Sequence, residues 1–311
     1  MTAIIGRDGT ACQPVSTAAS SPVTVCRAIT FDCNWCWSEM DSKMNETVYI
    51  LILAVLQGIG EFLPISSSGH LVIGKALLSE FWPQLATDQG GIQLEVALHV
   101  GTLGSILVVY FRDLWQLRRD WRLCLLIILA SVPAGFVGLT FKDALEELFQ
   151  SPLFAGFGLL ITAVFLLLGQ RQTTERYTTQ NLPWLSALIV GCFQAVAILP
   201  GISRSGSTIA GGLLVGMQRS SAATFSFLMA LVAIGGAALL EAKDLLNGEP
   251  LAYSAGGLLM GVVVSFVTGV IALTLLLRVL HSGRLYWFAY YCLAVGMATI
   301  LWQVLRTGVA H

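Results

Sequence analysis

Charge is scarce in this chain. Lys and Arg number 17 and Asp and Glu 18, together 11% of the 311 residues, where a soluble domain carries about 25%. That shortage, with a mean hydropathy of +0.77 and 56% hydrophobic residues, excludes a soluble domain and marks an integral membrane protein. No basic tract is present and the net charge is −1, so nothing points to nucleic acid. A complete GxxxxGK-Ser/Thr phosphate loop is missing, which argues against a nucleotide. Four of the seven cysteines, Cys12, Cys26, Cys33 and Cys36, fall in the first 36 residues. The others, Cys124, Cys192 and Cys292, stand singly in apolar segments and read as small buried hydrophobes.

Residues 1–43 differ from the rest. They lack an apolar run long enough to span a bilayer, and they lack the charged and apolar regions of a signal peptide. Cys33-Asn-Trp-Cys36 is a CxxC, yet no second CxxC and no nearby histidine completes a metal site. This stretch is expected to be a disordered or non-native extension, with Met40 and Met44 as candidate starts. Residues 44–311 then form the membrane domain.

Long apolar runs fall at about 92–111, 121–140, 152–169, 222–240, 253–277 and 286–305. Each is near the ~20 residues a helix needs to cross a bilayer. Two further apolar regions, about 47–80 and 184–218, are each cut in the middle by Pro, Gly and Ser into two short pieces. Such pieces suit re-entrant helices, because non-helical backbone survives at membrane depth only against protein or a watery cavity. The fold expected is an all-α polytopic membrane protein with six transmembrane helices and two broken re-entrant helix pairs. The order is broken pair, three spans, broken pair, three spans. Three is odd, so the second unit (about 184–306) enters upside-down relative to the first (about 44–170), an inverted repeat. Charge placement gives an independent orientation. Arg112, Arg118, Arg119, Arg122, Arg171, Arg176, Arg219, Arg278 and Arg284 mark one set of connections, while 141–151 and 241–250 are acidic. Basic connections stay in the cytoplasm, so the acidic loops and both termini lie outside.

The two breaks read as copies. At a fixed offset of 137 residues, Gln57 meets Gln194, Ile65 meets Ile202, Ser66 meets Ser203, Ser68 meets Ser205 and Gly69 meets Gly206. Polar groups at membrane depth are costly and mark function by default. Gln57 and Glu61 are four apart and share a helix face; such oxygens suit a hard cation such as Mg²⁺ or Ca²⁺, or Glu61 is a helix-end carboxylate met by backbone N–H groups. Ser66, Ser67, Ser68 and His70 offer a nucleophile and a proton partner; the plainer role is a cap for the next helix. In Pro200-Gly201-Ile202-Ser203-Arg204-Ser205-Gly206-Ser207-Thr208, Arg204 suits a bidentate grip on phosphate, a helix start favours an anion, and Gly201 and Gly206 let backbone approach it. Arg204 alternatively only pairs with Glu61. Glu95 and His99, also four apart, either extend the site or bond each other and a neighbouring helix. Pro133 reads as structural, and Trp115, Trp121, Trp184, Trp287 and Trp302 as interfacial anchors.

Read together, these motifs resemble the undecaprenyl-diphosphate phosphatase family of bacteria, the bacitracin-resistance type. Gln57-Gly-Ile-Gly-Glu61 fits its (E/Q)xxxE, Ser66 to His70 its serine-rich stretch ending in Gly-His, and Pro200 to Thr208 its PGxSRSxxT. The resemblance runs from about Met44 to the end; Gln57 takes the amide option of the first motif, and residues 1–43 have no counterpart. It implies hydrolysis of undecaprenyl diphosphate to undecaprenyl phosphate and phosphate, which recycles the lipid carrier for wall polymers and confers bacitracin resistance in excess. It implies a divalent metal, a prenyl diphosphate lipid in the bilayer of the cytoplasmic membrane, and a site open to the outer face. A second copy of the chain is a candidate partner.

In this reading Arg204, Ser203, Ser205 and Thr208 grip the diphosphate with help from Ser66 and Gly201. Glu61 with Gln57 positions the metal, and Ser67 attacks with His70 as its partner. Direct attack by His70 and attack by metal-activated water remain open. A phosphatidic-acid-type phosphatase would need a histidine where Ala210 stands. A lipid-phosphate transporter or flippase would share the inverted plan and move substrate without releasing phosphate.

Overall fold

Inside a bilayer a chain must satisfy its own amides, so spanning segments become helices or closed barrels. The computed structural model describes residues 32–82, 88–172, 174–246 and 253–308. Cys12, Cys26 and residues 247–250 of the acidic loop lie outside the described residues, as do the side chains of Cys33, Cys36, Met40, Glu241 and Asp244. By its contacts the chain divides into two units, Met1–Ser42 and Lys43–His311; the second carries the membrane domain. Among the described residues every regular element is a helix.

The first broken pair is α1 (Asp32–Phe62) and α2 (Ser67–Leu78). Then come α3 (Asp88–Val109), α4 (Phe111–Leu117), α5 (Trp121–Thr140), α6 (Lys142–Phe149) and α7 (Pro152–Gln170). The second broken pair is α8 (Trp184–Val196) and α9 (Arg204–Leu214), followed by α10 (Arg219–Leu246), α11 (Ala255–His281) and α12 (Tyr286–Gly308). Five of these, α5, α7, α10, α11 and α12, are long and apolar enough to cross a membrane. A sixth is reached if α3 and α4 count as one span, bent by 77°. The span ends near 111, as the sequence suggests: the chain turns at Tyr110, and α4, which carries Arg112 and Asp113 of the connection expected there, has no buried residue. A charged segment gains by leaving the apolar direction at that point. Pro133 lies within α5, which continues through it.

The molecule is apolar outside, and a smaller set of polar residues is buried within its largely apolar core. Leu139 is 74% exposed and Trp121 71%, whereas Gln57, Gln194, Ser205 and Thr208 are buried to within 1%. Among the tryptophans, Trp115 lies under Arg118 at 4.6 Å and Trp184 under Arg122 at 5.8 Å, pairings suited to an interface where one side is wet. Helix α3 packs on α11, α7 on α12, α5 on α8 and α10, and α7 also on α2 and α9.

The two broken pairs repeat each other in detail. Offset by 137 residues, Ser67 falls on Arg204, the first residues of α2 and α9. Ser66 Oγ accepts from Gly69 N at 3.1 Å, and Ser203 Oγ from Gly206 N at 3.1 Å. The hydroxyls of Ser66 and Ser68 are 3.2 Å apart, as are those of Ser203 and Ser205. Gly74 packs on Leu56 and Gly211 on Phe193, the same pair of positions in each hairpin. The tips also meet reciprocally: a methyl on Gly69 would lie 2.8 Å from Gly201 Cα, and one on Gly206 3.2 Å from Pro64 Cβ.

Contacts at the helix ends fall into two groups. In one, Arg122 donates to the carbonyls of Gln180 and Leu182, and Arg176 N to Gly216 O. Arg219 pairs with Glu175 at 3.9 Å and lies beside Gly283, which Gln170 also holds. The four basic connections therefore meet. In the other group, Glu46 accepts from Ser254 N and Oγ at 2.9 and 2.7 Å, and Glu80 pairs with Arg306 at 3.0 Å. The 27 residues of α11 join the two groups, about 40 Å at 1.5 Å per residue. The first broken pair starts and finishes in the second group, and the second broken pair in the first.

Candidate active site

Where the tips meet there is a cavity of about 250 Å³. Glu61, Ser66, Ser67 and Ser68 line it from the first break, and Ser203 and Arg204 from the second. Helices α2 and α9 both begin at this cavity. Their Ser caps satisfy one first-turn N–H each, leaving others without an intrahelical acceptor. Two helix starts therefore supply partial positive charge to one small space, the requirement for holding an anion.

Glu61 organises the polar groups. Its Oε2 accepts from Ser67 Oγ at 2.7 Å and from Gln57 Nε2 at 3.0 Å. Its Oε1 receives Arg204 Nη2 at 2.5 Å. A carboxylate buried at this depth persists because cationic and hydrogen-bonded partners surround it. The Arg204 fork is only half used: Nη1 is buried without a partner. Gln57 is half used in the same sense, since its Oε1 is buried and accepts from nothing.

The structure thus brings together Gln57, Glu61, Ser66, Ser67, Ser203 and Arg204. Of the other expected residues, His99 also reaches the cavity and the rest lie elsewhere. His70 does not reach Ser67: its Nδ1 is 2.7 Å from Ser66 O, and its Nε2 is 2.8 Å from the Tyr291 hydroxyl. Ser205 Oγ reaches Leu63 O at 3.3 Å, away from the open space. Thr208 Oγ1 donates to Arg204 O at 2.8 Å and meets Ser226 Oγ on α10 at 2.5 Å. Gly201, at φ 83, lies so close to the Ala155 carbonyl that any side chain there would overlap it. It turns the chain against α7, a conformation that favours glycine. Glu95 pairs with Lys75, whereas His99, its Nδ1 2.8 Å from the Glu95 carbonyl, lines the cavity with Nε2 3.9 Å from Glu61 Oε2. Gly69 and Lys75 carry GxxxxGK spacing, but Ala76 replaces the hydroxyl residue and the stretch lies inside α2, so no phosphate loop forms.

Three contributors escaped the sequence reading. Thr162 Oγ1 of α7 donates to Gly201 O and accepts from Ser203 N. Tyr291 of α12 holds His70. Phe149, at the end of α6, closes part of the cavity. Thr162 and Tyr291 are polar groups inside apolar spans, and that was a usable signal. Phe149 gave none.

A family model described as bacitracin resistance protein BacA matches residues 50–298. Among curated proteins, an undecaprenyl-diphosphatase of Rhodopirellula baltica is 46% identical over 260 residues, covering 83% of this chain and 98% of that protein. One of Methanosphaera stadtmanae is 37% identical, covering 84% and 99%. One of Carboxydothermus hydrogenoformans is 40% identical, covering 81% and 96%.

Proposed function

The chain belongs to the family of the bacitracin resistance protein BacA, and on that premise we infer that it hydrolyses undecaprenyl diphosphate to undecaprenyl phosphate and inorganic phosphate. The reaction returns the lipid carrier to wall-polymer synthesis, and excess enzyme confers bacitracin resistance. The observation that carries this reading is a single cavity in which Ser67 and Glu61 of one break face Arg204 of the other, beneath two helix starts.

The diphosphate is drawn to the starts of α2 and α9, and the unused Nη1 of Arg204 takes one of its oxygens. Ser203 and Ser66 line the same space, while Ser205, Gly201 and Thr208 hold the Arg204 turn in place from behind. Ser67 Oγ attacks the terminal phosphorus as its proton passes to Glu61 Oε2, already 2.7 Å away. The bridging P–O bond breaks, and its electron pair leaves with undecaprenyl phosphate. Water then attacks the phosphoserine, Ser67 regains its proton from Glu61, and dihydrogen phosphate departs. Gln57 and Glu61 would suit a divalent cation such as Mg²⁺ or Ca²⁺ with the Gln57 amide turned over, so that its orphan Oε1, and not the Nε2 that now donates to Glu61, faces the carboxylate. The diphosphate would complete such a site, and the cation would neutralise charge on its oxygens. Among the described residues no group of three or more His, Cys, Asp and Glu forms a self-sufficient metal cage.

We further propose six spans, two repeats of about 44–170 and 184–306 in opposite orientation, and a cavity facing the outer side of the cytoplasmic membrane. Three features support this. The hairpins share caps and tip contacts. They open toward opposite groups of end contacts. Phe149 at the cavity belongs to the connection between α5 and α7, away from the basic set.

The test is phosphate release from undecaprenyl diphosphate by the purified protein, with and without Mg²⁺ or Ca²⁺, and with Glu61→Ala as control. Metal-dependent release that the variant loses supports the mechanism. No release by a folded, lipid-binding protein would favour movement of the lipid, measured next in liposomes.

A further inference from the structure

We propose that Tyr291 and His70 form a brace that holds the Ser66 backbone in a strained conformation and thereby aims Ser67 at Glu61. Both are positioning residues. The proposal rests on the hydrolase reading above but is also testable without it.

The strain is local. Ser66 has φ 71 and ψ 100, and it is the one non-glycine with positive φ among the described residues. Such a conformation persists only where its surroundings over-determine it. Here they do so from two sides. Ser66 Oγ accepts from Gly69 N at 3.1 Å. Ser66 O faces the backbone N of His70 at 3.2 Å and its ring Nδ1 at 2.7 Å. A carbonyl only accepts, so Nδ1 carries the hydrogen. In the neutral ring Nε2 is then an acceptor, and the Tyr291 hydroxyl, 2.8 Å away, donates to it. The two rings lie nearly parallel, 11° apart in plane and 5.6 Å between centroids. The next residue of α12 reinforces the same turn, with Cys292 Sγ 3.5 Å from Pro64 O. Helix α12 thus supports the break at Pro64 and again at Ser66.

The second hairpin is the internal control. The residue matching Ser66 is Ser203, with an ordinary φ of −69. The residue matching His70 is Ser207, whose hydroxyl is buried without a partner. Strain and brace are present together in one copy and absent together in the other. Only the braced copy carries a hydroxyl in hydrogen-bond contact with the carboxylate, Ser67 on Glu61 at 2.7 Å. With both ring nitrogens engaged, His70 has none directed at Ser67.

The experiment compares Tyr291→Phe, His70→Ala, His70→Asn and the Tyr291→Phe/His70→Asn pair, by steady-state kinetics on undecaprenyl diphosphate and by hydrogen exchange of the Ser67 to Gly69 amides. Asn keeps a side-chain N–H for Ser66 O and lacks Nε2. The brace predicts that His70→Ala lowers kcat on the order of 10²-fold with KM nearly unchanged, as misaiming of a reactive group does. His70→Asn should stay within about 10-fold of the unaltered protein, since losing one hydrogen bond costs roughly that much. Tyr291→Phe should lose several-fold in kcat and add nothing in the His70→Asn background. Exchange should quicken in Tyr291→Phe and His70→Ala, whether or not the protein turns the lipid over. His70→Asn as inactive as His70→Ala, with Tyr291→Phe unaffected, would assign Nε2 to proton transfer and overturn the brace. Unchanged exchange in all variants would overturn it independently of activity. If the unaltered protein releases no phosphate but the exchange pattern holds, the hydrolase reading fails and the brace stands.

Discussion

The α1–α2 and α8–α9 hairpins share one frame and differ in the side chains it presents. Their serine caps, their glycine contacts and their reciprocal tips coincide. They differ where reaction is expected: Glu61 against Ile198, Ser67 against Arg204, His70 against Ser207. The glutamines they share also diverge in use. Gln57 donates to Glu61, while Gln194 is buried with neither side-chain atom bonded. The matching frames bring the two tips into contact, and the residues that differ between them place a carboxylate on one side and a guanidinium on the other.

The largest expected effect tests that division of labour. Ser67→Ala should lower turnover on the order of 10³-fold or more, as loss of a nucleophile does, while a radiolabelled lipid still binds. Retained turnover would remove the serine from the chemistry and leave the two hairpins more alike than proposed.

Next is the ion pair that joins them. Arg204→Ala should lower kcat/KM roughly 10²-fold, chiefly through KM, because it removes a charge-assisted phosphate contact. It should also destabilise the fold by about 3–5 kcal/mol, since Glu61 would be left buried and unpaired. Adding Glu61→Gln should restore much of the melting temperature and none of the activity. Unchanged kinetics in the single variant would confine Arg204 to a structural role.

The glutamines give the finer contrasts. Gln57→Glu should lower the Mg²⁺ or Ca²⁺ concentration giving half-maximal activity by about 10-fold, since it adds a charged oxygen. Gln194→Glu should leave that concentration where it is. Chelation of divalent ions should abolish phosphate release in the unaltered protein. If Gln57→Glu has no effect on the metal titration, the metal is held elsewhere.

The smallest effect concerns stability alone. Gln194→Leu should stabilise the protein by about 1 kcal/mol, because an unsatisfied buried amide costs on the order of 1–3 kcal/mol, and should leave turnover unaltered. Gln57→Leu, at the matching position, should lower turnover. Identical outcomes at both positions would mean that the copies have not diverged there.

Much of this was legible in the residues. Apolar length placed α5, α7, α11 and α12, because a bilayer fixes the span. The breaks declared themselves through Pro64 and Pro200 with their serines, since such residues stop helices wherever they stand. The offset of 137 residues paired Ser66 with Ser203 before any contact was known. Less visible was which polar side chains turn toward the cavity. Ser205 and Thr208 carry the same motif as Ser203 and Arg204, yet a helix turns by a fixed angle per residue, and only some of them can face the opening. Tyr291 and Thr162 stand out as polar residues in apolar spans, but their partners do not. Each acts through a residue far along the chain, His70 at 221 positions for Tyr291 and Ser203 at 41 for Thr162.

By itself, then, the sequence determined that the chain lives in a membrane, that it is helical, that it breaks twice, and that the breaks are related. These follow from hydropathy, chain stiffness and repeated residue types, which are local properties. Tertiary structure alone decided that Glu61 meets Arg204 across 143 positions, that His70 turns to Tyr291 and away from Ser67, and that Gln194 has no partner. Those outcomes depend on which helix faces pack together and on how closely glycine lets the two tips approach. Neither is encoded in any single stretch of chain.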